Sequence, residues 1–383
     1  MQRIFTKIEN NTNYYDIERK IKRGNLVEIH MADIHFGAMD AKIQFNILKE
    51  QVLDVINDLP IVDVIFINGD LFDRKFTADT PAIMYANMFF SAIREIAINK
   101  NATVILLYGT AGHDADQLKM FYHYLKDPLF DLRIVETIKF EYVKGAKILC
   151  IPELYNLDES IYNQFLFYSG YYDQCVIHGT IEATGLPSAG AKLFKMNDFC
   201  NCKGPIVGGH IHICGCYHKY FYYTGSVLRW KYGEEQEKGF MIVLYDLDTR
   251  QHYAHMIPVQ SFRYDTINID DILMNDPKDV IKYINDLKTN QNIDHLRIEF
   301  TDNISAENME IIRNYYRNNN AIKLHIKKQK LQNEIENTEV ATQYQYILDD
   351  NLSEFEIMAR YINERENATI ITADEIIALM KDD

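Results

Sequence analysis

Five short apolar runs lie between residues 26 and 207: Leu26-Val27-Glu28-Ile29, Val62-Asp63-Val64-Ile65-Phe66-Ile67, Thr103-Val104-Ile105-Leu106-Leu107, Gln174-Cys175-Val176-Ile177 and Pro205-Ile206-Val207. Their length and their β-branched content predict short buried strands. Close behind each run comes a polar motif: Asp33-Ile34-His35, Gly69-Asp70-Leu71-Phe72-Asp73, Gly112-His113-Asp114, Ile177-His178-Gly179 and Gly209-His210-Ile211-His212. Alternate side chains of a strand point the same way, so the D-x-H and H-x-H spacings each aim two side chains at one point. The carboxyl ends of strands in an open α/β sheet are where active-site loops gather. The motifs are therefore expected to converge on one edge of a β-structure.

Taken singly, each motif is ordinary. Asp-x-His and Gly-Asp-x-x-Asp are common turn chemistry, and a lone His178 would be a hydrogen-bonded, half-buried histidine. Five motifs in order behind five strand-like runs call for a common cause. Together they deliver four or five imidazoles and two carboxylates, enough to hold two divalent metals. Carboxylate oxygen with imidazole nitrogen, and no thiolate inside the motifs, suits manganese, iron, zinc or magnesium better than copper or an iron–sulfur cluster.

The order D-x-H, G-D-x-x-D, a G-N-H-D-like Gly112-His113-Asp114, H, G-H-x-H resembles that of the calcineurin-like metallophosphoesterases. Tyr223-Thr224-Gly225-Ser226-Val227-Leu228-Arg229, followed by Gly233-Glu234-Glu235-Gln236-Glu237-Lys238-Gly239-Phe240, narrows the likeness. This stretch is similar to the nuclease subunit of the SbcCD type, the bacterial and phage counterpart of the meiotic-recombination nuclease. The resemblance extends over roughly residues 25 to 260. It implies an α/β fold: a metallophosphoesterase β-sandwich flanked by helices, with a small α+β cap and C-terminal helices that bind a partner.

Carried over by position, the resemblance gives Asp33, His35 and His212 to one metal and His178 and His210 to the other, with Asp70 bridging. His113 matches the histidine that orients the scissile phosphate or protonates the leaving 3′-oxygen, a role that suits an imidazole. The implied cofactors are two divalent metals, manganese first, with magnesium or iron as substitutes. The implied activity is DNA exonuclease and endonuclease action at double-strand ends or hairpins. The implied partners are DNA and an SMC-like coiled-coil ATPase, within a heterotetramer built on a homodimer. Residues 79–98, with Ile83, Met84, Met88, Phe89 and Phe90, offer apolar material for the dimer contact, though core packing explains them equally. A stand-alone phosphodiesterase or phosphatase, and a catalytically weakened scaffold subunit, are the alternative expectations.

One departure stands out. The family places Asn-His-Asp after a glycine, and that amide ligates the second metal; this chain has Gly109-Thr110-Ala111-Gly112-His113-Asp114. Thr110, a backbone carbonyl or a water are the candidate replacements.

Composition refines this reading without producing it. The chain has 383 residues, more than one core usually serves, and its hydrophobic share of 47% includes no apolar run of bilayer length. A soluble, cytoplasmic protein with no membrane association is expected, in a bacterium or a phage-infected host. Residues 1–24 lack the apolar core of a secretory signal and are expected to form an added strand or arm. The formal charge of −15 weakens non-specific attraction to DNA but does not forbid a basic groove. Candidate contacts are Arg229 and Lys231 around Trp230, and Lys327 and Lys328 in the run Lys323-Leu324-His325-Ile326-Lys327-Lys328-Gln329-Lys330, which also fits an edge strand with one wet face. Cys200-Asn201-Cys202 and Cys214-Gly215-Cys216 bracket the Gly-His-Ile-His motif; zinc sites more often use a two-residue gap, so reduced thiols are expected ahead of zinc or disulfides.

Residues 25–265 are assigned to the nuclease domain. It is expected to end in a hairpin of 243–248 and 253–258 that closes the second sheet. Residues 266–331 follow as the cap, with a helix at 277–287, a strand at 295–300, a helix opening at Ser305 and the basic strand. Residues 332–350 read as a polar linker. In 351–383, Leu352, Phe355, Met358, Ala359 and Ile362 recur at helical spacing, and Thr372 with Glu375 forms a capping box. The resemblance makes the cap a selector of DNA ends and these last helices the grip on the ATPase.

Overall fold

The structure, a computed structural model, describes residue 21 and residues 24–326, apart from 187–189, 219, 235, 270–275, 292, 301–304 and 320. The arm before residue 21, the 332–350 linker, the 351–383 helices, Lys327 and Lys328 lie outside the described residues.

The chain opens on β1 (Asn25–Met31) and α1 (Ala41–Leu48), which runs through a π turn (Lys49–Leu53) into α2 (Asp54–Asp58). Next come β2 (Val64–Ile67), α3 (Pro81–Lys100), β3 (Thr103–Leu107), a 3-10 segment (Ala115–Lys126) and β4 (Leu132–Val135). The second half holds β5 (Lys139–Val143), β6 (Ala146–Ile151), α4 (Glu159–Asn163), β7 (Gln174–His178), β8 (Thr180–Ile181), β9 (Leu193–Phe194) and β10 (Ile206–Gly209). It continues with β11 (Gly215–His218), β12 (Phe221–Tyr223), β13 (Gly239–Asp246) and β14 (His252–Pro258). The expected strand runs all fall on strands of this series.

Two six-stranded sheets result, ordered β14-β13-β1-β2-β3-β4 and β11-β12-β10-β7-β6-β5. Strands β1 to β4 pair parallel, as do β6, β7, β10 and β12. The sheets face each other through Leu26, Val64, Phe66, Ile105 and Leu107 on one side and Ile148, Cys150 and Val176 on the other. The alternate residues Val27, Ile29, Met31, Ile65, Ile67 and Val104 point the other way, into a core with Phe45, Leu48, Phe89, Phe90 and Ile93 of α1 and α3. Beyond the second sheet, Leu149, Ile151, Cys175 and Ile177 pack on Tyr162, Leu166 and Phe199. Burial on both faces explains why the strand runs are continuously apolar rather than alternating. The architecture is mixed α/β.

The hairpin β13–β14 differs from its expected place. It belongs to the first sheet, where β13 pairs antiparallel with β1. The run Gly239-Phe240-Met241-Ile242-Val243-Leu244-Tyr245 is buried throughout, with Phe240, Ile242 and Leu244 in the helix-side core and Tyr245 between the sheets. Its two edges pair with β1 and β14, and its two faces lie in the helix-side core and between the sheets.

A third sheet, of parallel strands, is ordered β15 (Tyr264–Ile269), β16 (His295–Phe300), β17 (Ile322–Ile326). Helices α5 (Pro277–Asn290) and α6 (Ala306–Tyr316) are capped by Asp276 and Ser305, whose side chains accept from Lys278 and Asn308 N–H groups. They join the sheet in a separate core of Ile284, Ile298, Phe300, Ile312 and Tyr316. The Arg297 guanidinium lies 4.4 Å above the Tyr232 ring, so the small unit touches the loop that follows Arg229-Trp230-Lys231. In α3, Ile83, Phe89 and Phe90 are core residues while Met84 and Met88 are exposed. Among the described residues no helix is long and apolar enough to cross a membrane.

Candidate metal centre

All five motifs lie at or just beyond the carboxyl ends of β1, β2, β3, β7 and β10. The turns that carry them are bent sharply. Asp33, His35, Asp70 and His210 have φ of 52°, 51°, 53° and 89°, a region that non-glycine residues enter at a cost of about 1–3 kcal/mol and that clusters at functional sites. Backbone bonds hold the bends: Asp33 N–H donates to Gly69 O and His35 N–H to Asp70 O, each at 3.1 Å. His210 N–H donates to both Asp33 carboxylate oxygens, at 3.1 and 3.0 Å, tying the second sheet to the first. Gly69 (φ 91°) admits the His178 ring where a Cβ would lie 2.3 Å from Nδ1, and at Gly109 a Cβ would fall 2.2 Å from the Asp70 N.

These turns bring the six sequence-predicted ligands together. Asp33, His35 and His212 present ligand atoms within 4.8 Å of one another, as do Asp70, His178 and His210; His113 forms a third such group with His35 and Asp70. His35 Nε2 faces His212 Nε2 at 3.2 Å and Asp70 Oδ2 at 3.9 Å. His178 Nε2 faces Asp70 Oδ2 at 3.4 Å.

The donor set fits divalent ions on its own chemistry. His178 Nδ1–H donates to the Asn68 carbonyl at 2.6 Å, which in a neutral ring leaves Nε2 with a lone pair. That Nε2 is buried without a hydrogen-bond partner and is aimed at carboxylate oxygens. His212 Nδ1–H donates to Glu234 at 2.7 Å, again turning Nε2 into the centre. Ligating histidines are held this way by a carboxylate or carbonyl on the far nitrogen.

The electrostatics agree. Burial opposes a charge on His178, but the Asp70, Asp33 and Glu153 carboxylates outweigh it and push the ring up to about 10. Burial raises Asp70, yet His178 and His35 hold it well below the usual carboxylate range. Burial depresses His35 well below its ordinary value, and raises Asp33 against the pull of His212 and His178. A cation bound among these groups would take the place of the His178 proton.

Around this set stand residues with supporting contacts. His113 Nδ1–H donates to the Asp73 carbonyl, and its ring packs edge-on against His35 at 4.8 Å. Asp114 is fully buried, and burial together with Asp70 pushes its carboxyl up to about 7. Lys238, also buried, donates to His212 O at 2.8 Å and lies 3.6 Å from Glu234. The Gly-Glu-Glu…Lys-Gly segment thus acts on His212, while Ser226 bridges to Ala32 beside the first motif. Trp230 packs 4.8 Å from the His35 ring, with the exposed Lys231 ammonium 4.6 Å above it. Arg229 donates to Gln236 O within its own loop. Thr110 Oγ1 lies 3.1 Å from both Asp70 Oδ2 and Glu153 Oε2. The two Cys-x-Cys pairs enter no metal-competent group among the described residues, and all six cysteines are free thiols.

Sequence patterns alone did not single out Glu153, Asn68 or the roles of Glu234 and Lys238. Glu153 carries the same signal as the motifs: it follows the apolar run Ile148-Leu149-Cys150-Ile151 at the end of β6, in the same sheet as His178 and His210. It is a single carboxylate without a spaced partner, so no pattern announces it.

No family model matches the chain, and no curated protein matches it. Solved structures do; one aligns at 10% identity over 61% of this chain and 99% of its own, with a TM-score of 0.36.

Proposed function

We propose that this protein is a two-metal phosphodiesterase of the calcineurin-like type, the nuclease subunit of an SbcCD-like complex acting on DNA ends or hairpins. One observation carries the reading: the six side chains that the family resemblance names as ligands converge as two adjacent groups that meet at Asp70. Asp33, His35 and His212 would hold one divalent ion and His178 and His210 the other, with Asp70 shared. When bound, such a pair supplies an activated water and neutralises charge on the phosphate and the leaving oxygen.

The chain's own groups do the rest. Asn68 and Glu234 fix the tautomers of His178 and His212. The Asp73 carbonyl holds His113 by Nδ1, so its Nε2 is the atom that would orient the phosphate or give a proton to the leaving 3′-oxygen. Trp230 and Lys231 offer an aromatic face and a cation beside the centre, the pairing used to hold nucleic acid by stacking and charge. Lys327 and Lys328 remain proposed DNA contacts, as do residues 351–383 for the coiled-coil ATPase.

The deciding experiment is digestion of linear duplex and of single strands with manganese, magnesium or chelator. Cleavage that needs manganese and fails in His113→Ala supports the reading. If wild-type protein with manganese leaves both substrates uncut, as the variant does, the reading falls. Removal of residues 350–383 is expected to abolish co-purification with the ATPase, and a persisting complex would overturn that placement.

A further inference from the structure

We propose that Glu153 is a direct ligand of the second metal, a carboxylate in place of the amide that the third motif lacks; this rests on the metal-pair reading above. Glu153 reaches the centre from the end of β6, where its N–H donates to Tyr108 O at 3.2 Å, one residue before Gly109-Thr110. The side chain is buried and its two oxygens are differently engaged. Oε1 accepts from the Tyr155 hydroxyl at 2.6 Å, which turns Oε2 inward. Oε2 then lies 3.5 Å from His178 Nε2, 3.2 Å from His210 Nδ1 and 3.1 Å from Thr110 Oγ1.

Those separations decide between a ligand and a bystander. Oxygen and nitrogen donors at about 2.0–2.2 Å from one cation lie about 3.0–3.5 Å from each other. Asp70 Oδ2, His178 Nε2, His210 Nδ1 and Glu153 Oε2 show this spacing along each measured edge, at 3.4, 3.5 and 3.2 Å. With its Nδ1–H committed to Asn68, His178 turns Nε2 toward two carboxylate oxygens, so a proton or a cation must stand between them. A bound cation would replace that proton. Thr110 becomes a positioning residue, since its hydroxyl bridges the Asp70 and Glu153 carboxylates rather than filling the amide's place.

The chemical consequence is one more negative charge around the second ion than an amide would give. A second hard oxygen anion at that ion, beside Asp70, favours manganese or magnesium over softer ions.

The rival role is that Glu153 only hydrogen-bonds His210 from outside the coordination sphere. The two proposed carboxylate ligands besides Glu153 are aspartates, so labelling separates the roles. Protein carrying 13C at the glutamate δ-carbon, loaded with manganese, is expected to show a strong 13C hyperfine coupling that Glu153→Gln abolishes. Manganese titration followed by the signal of the free ion is expected to give two bound ions in the wild type. In Glu153→Ala the first ion should bind as before and the second roughly 10- to 100-fold more weakly or worse, the retained first ion showing that the variant is folded. Two ions bound without glutamate coupling, or an Ala variant that takes both ions as tightly as the wild type, would overturn the ligand role alone. Uptake of fewer than two ions by the wild type would overturn the metal pair and this inference together.

Discussion

Asp114 grips Asp70 by its main chain rather than its side chain. Its Oδ2 accepts the N–H of Asp70 at 2.9 Å and of Gly109 at 2.9 Å, while Oδ1 accepts those of Leu71 and Phe72 at 2.9 and 3.2 Å. One buried carboxylate thus fixes both the Asp70 loop and the Gly109 loop. In Asp114→Ala four N–H groups lose their acceptor at once, and orphaned buried donors are costly. Urea unfolding is expected to show a loss of about 3 kcal/mol or more, with Asp114→Asn, which keeps one acceptor, in between. An Ala variant as stable as the wild type would mean that these loops are held by something else.

Glu234 controls the far nitrogen of His212 and is itself steadied by Lys238. Burial raises its carboxyl, but His212 and Lys238 draw it below its ordinary value, so it is anionic at neutral pH. Glu234→Gln offers an amide oxygen of the same shape without the charge, and the imidazole becomes a weaker donor to a cation. Manganese affinity at the Asp33, His35 and His212 group is expected to fall by roughly 10- to 100-fold, with little effect on the other group. Calorimetric titration of the metal would check this.

The legible and illegible parts of the centre differ for a physical reason. Asp33 with His35, and His210 with His212, were readable because β-branched runs before them mark strands whose carboxyl ends gather functional loops; the period of two did not place them, since Asp33, His35 and His210 lie past their strands at positive φ and His210 and His212 join different groups. The helix over 277–287 and the strand over 295–300 were readable from the sequence, and the structure gives Pro277–Asn290 and His295–Phe300. The side of the sandwich that takes the β13–β14 hairpin was not readable, because a run buried on both faces carries no sign of its partner. Glu153 was not readable either, since its relation to Thr110 spans 43 residues and a sheet-to-sheet crossing, and it meets His178 from the neighbouring strand rather than by a spacing along one strand.

In the proposed mechanism His113 acts through one nitrogen only. Nδ1–H is spent on the Asp73 carbonyl, so a substitution that keeps a donor near Nδ1 but removes Nε2 separates chemistry from structure. His113→Asn is expected to bind manganese as the wild type does and to lose about 10²- to 10⁴-fold in kcat for phosphodiester cleavage, with KM little changed. A substrate whose leaving group needs no proton, such as a nitrophenyl phosphodiester, should lose much less. Equal losses on both substrates would assign His113 to phosphate positioning instead of acid catalysis.

Glu28 sits between the sheets, fully buried, 3.1 Å from His30 Nε2 and with Oε1 lacking any partner. Burial raises its carboxyl above the ordinary value; His30 and Gln174 pull the other way without cancelling it, and Asp63 adds to the rise. An acid with a raised pKa in the fold keeps its proton where the unfolded chain has lost it, so above about 4.5 the folded state binds more protons than the unfolded one. Its contribution to stability is therefore present in full below the unfolded pKa and declines as pH rises through the folded one. Glu28→Gln, of the same shape and uncharged, removes that decline: it is expected to unfold at higher urea concentration than the wild type at pH 8 and to converge with it toward pH 5. A variant less stable than the wild type at pH 8 would show that the Glu28–His30 pair stabilises the sandwich as an ion pair, and that the cost of burying the carboxylate is already met.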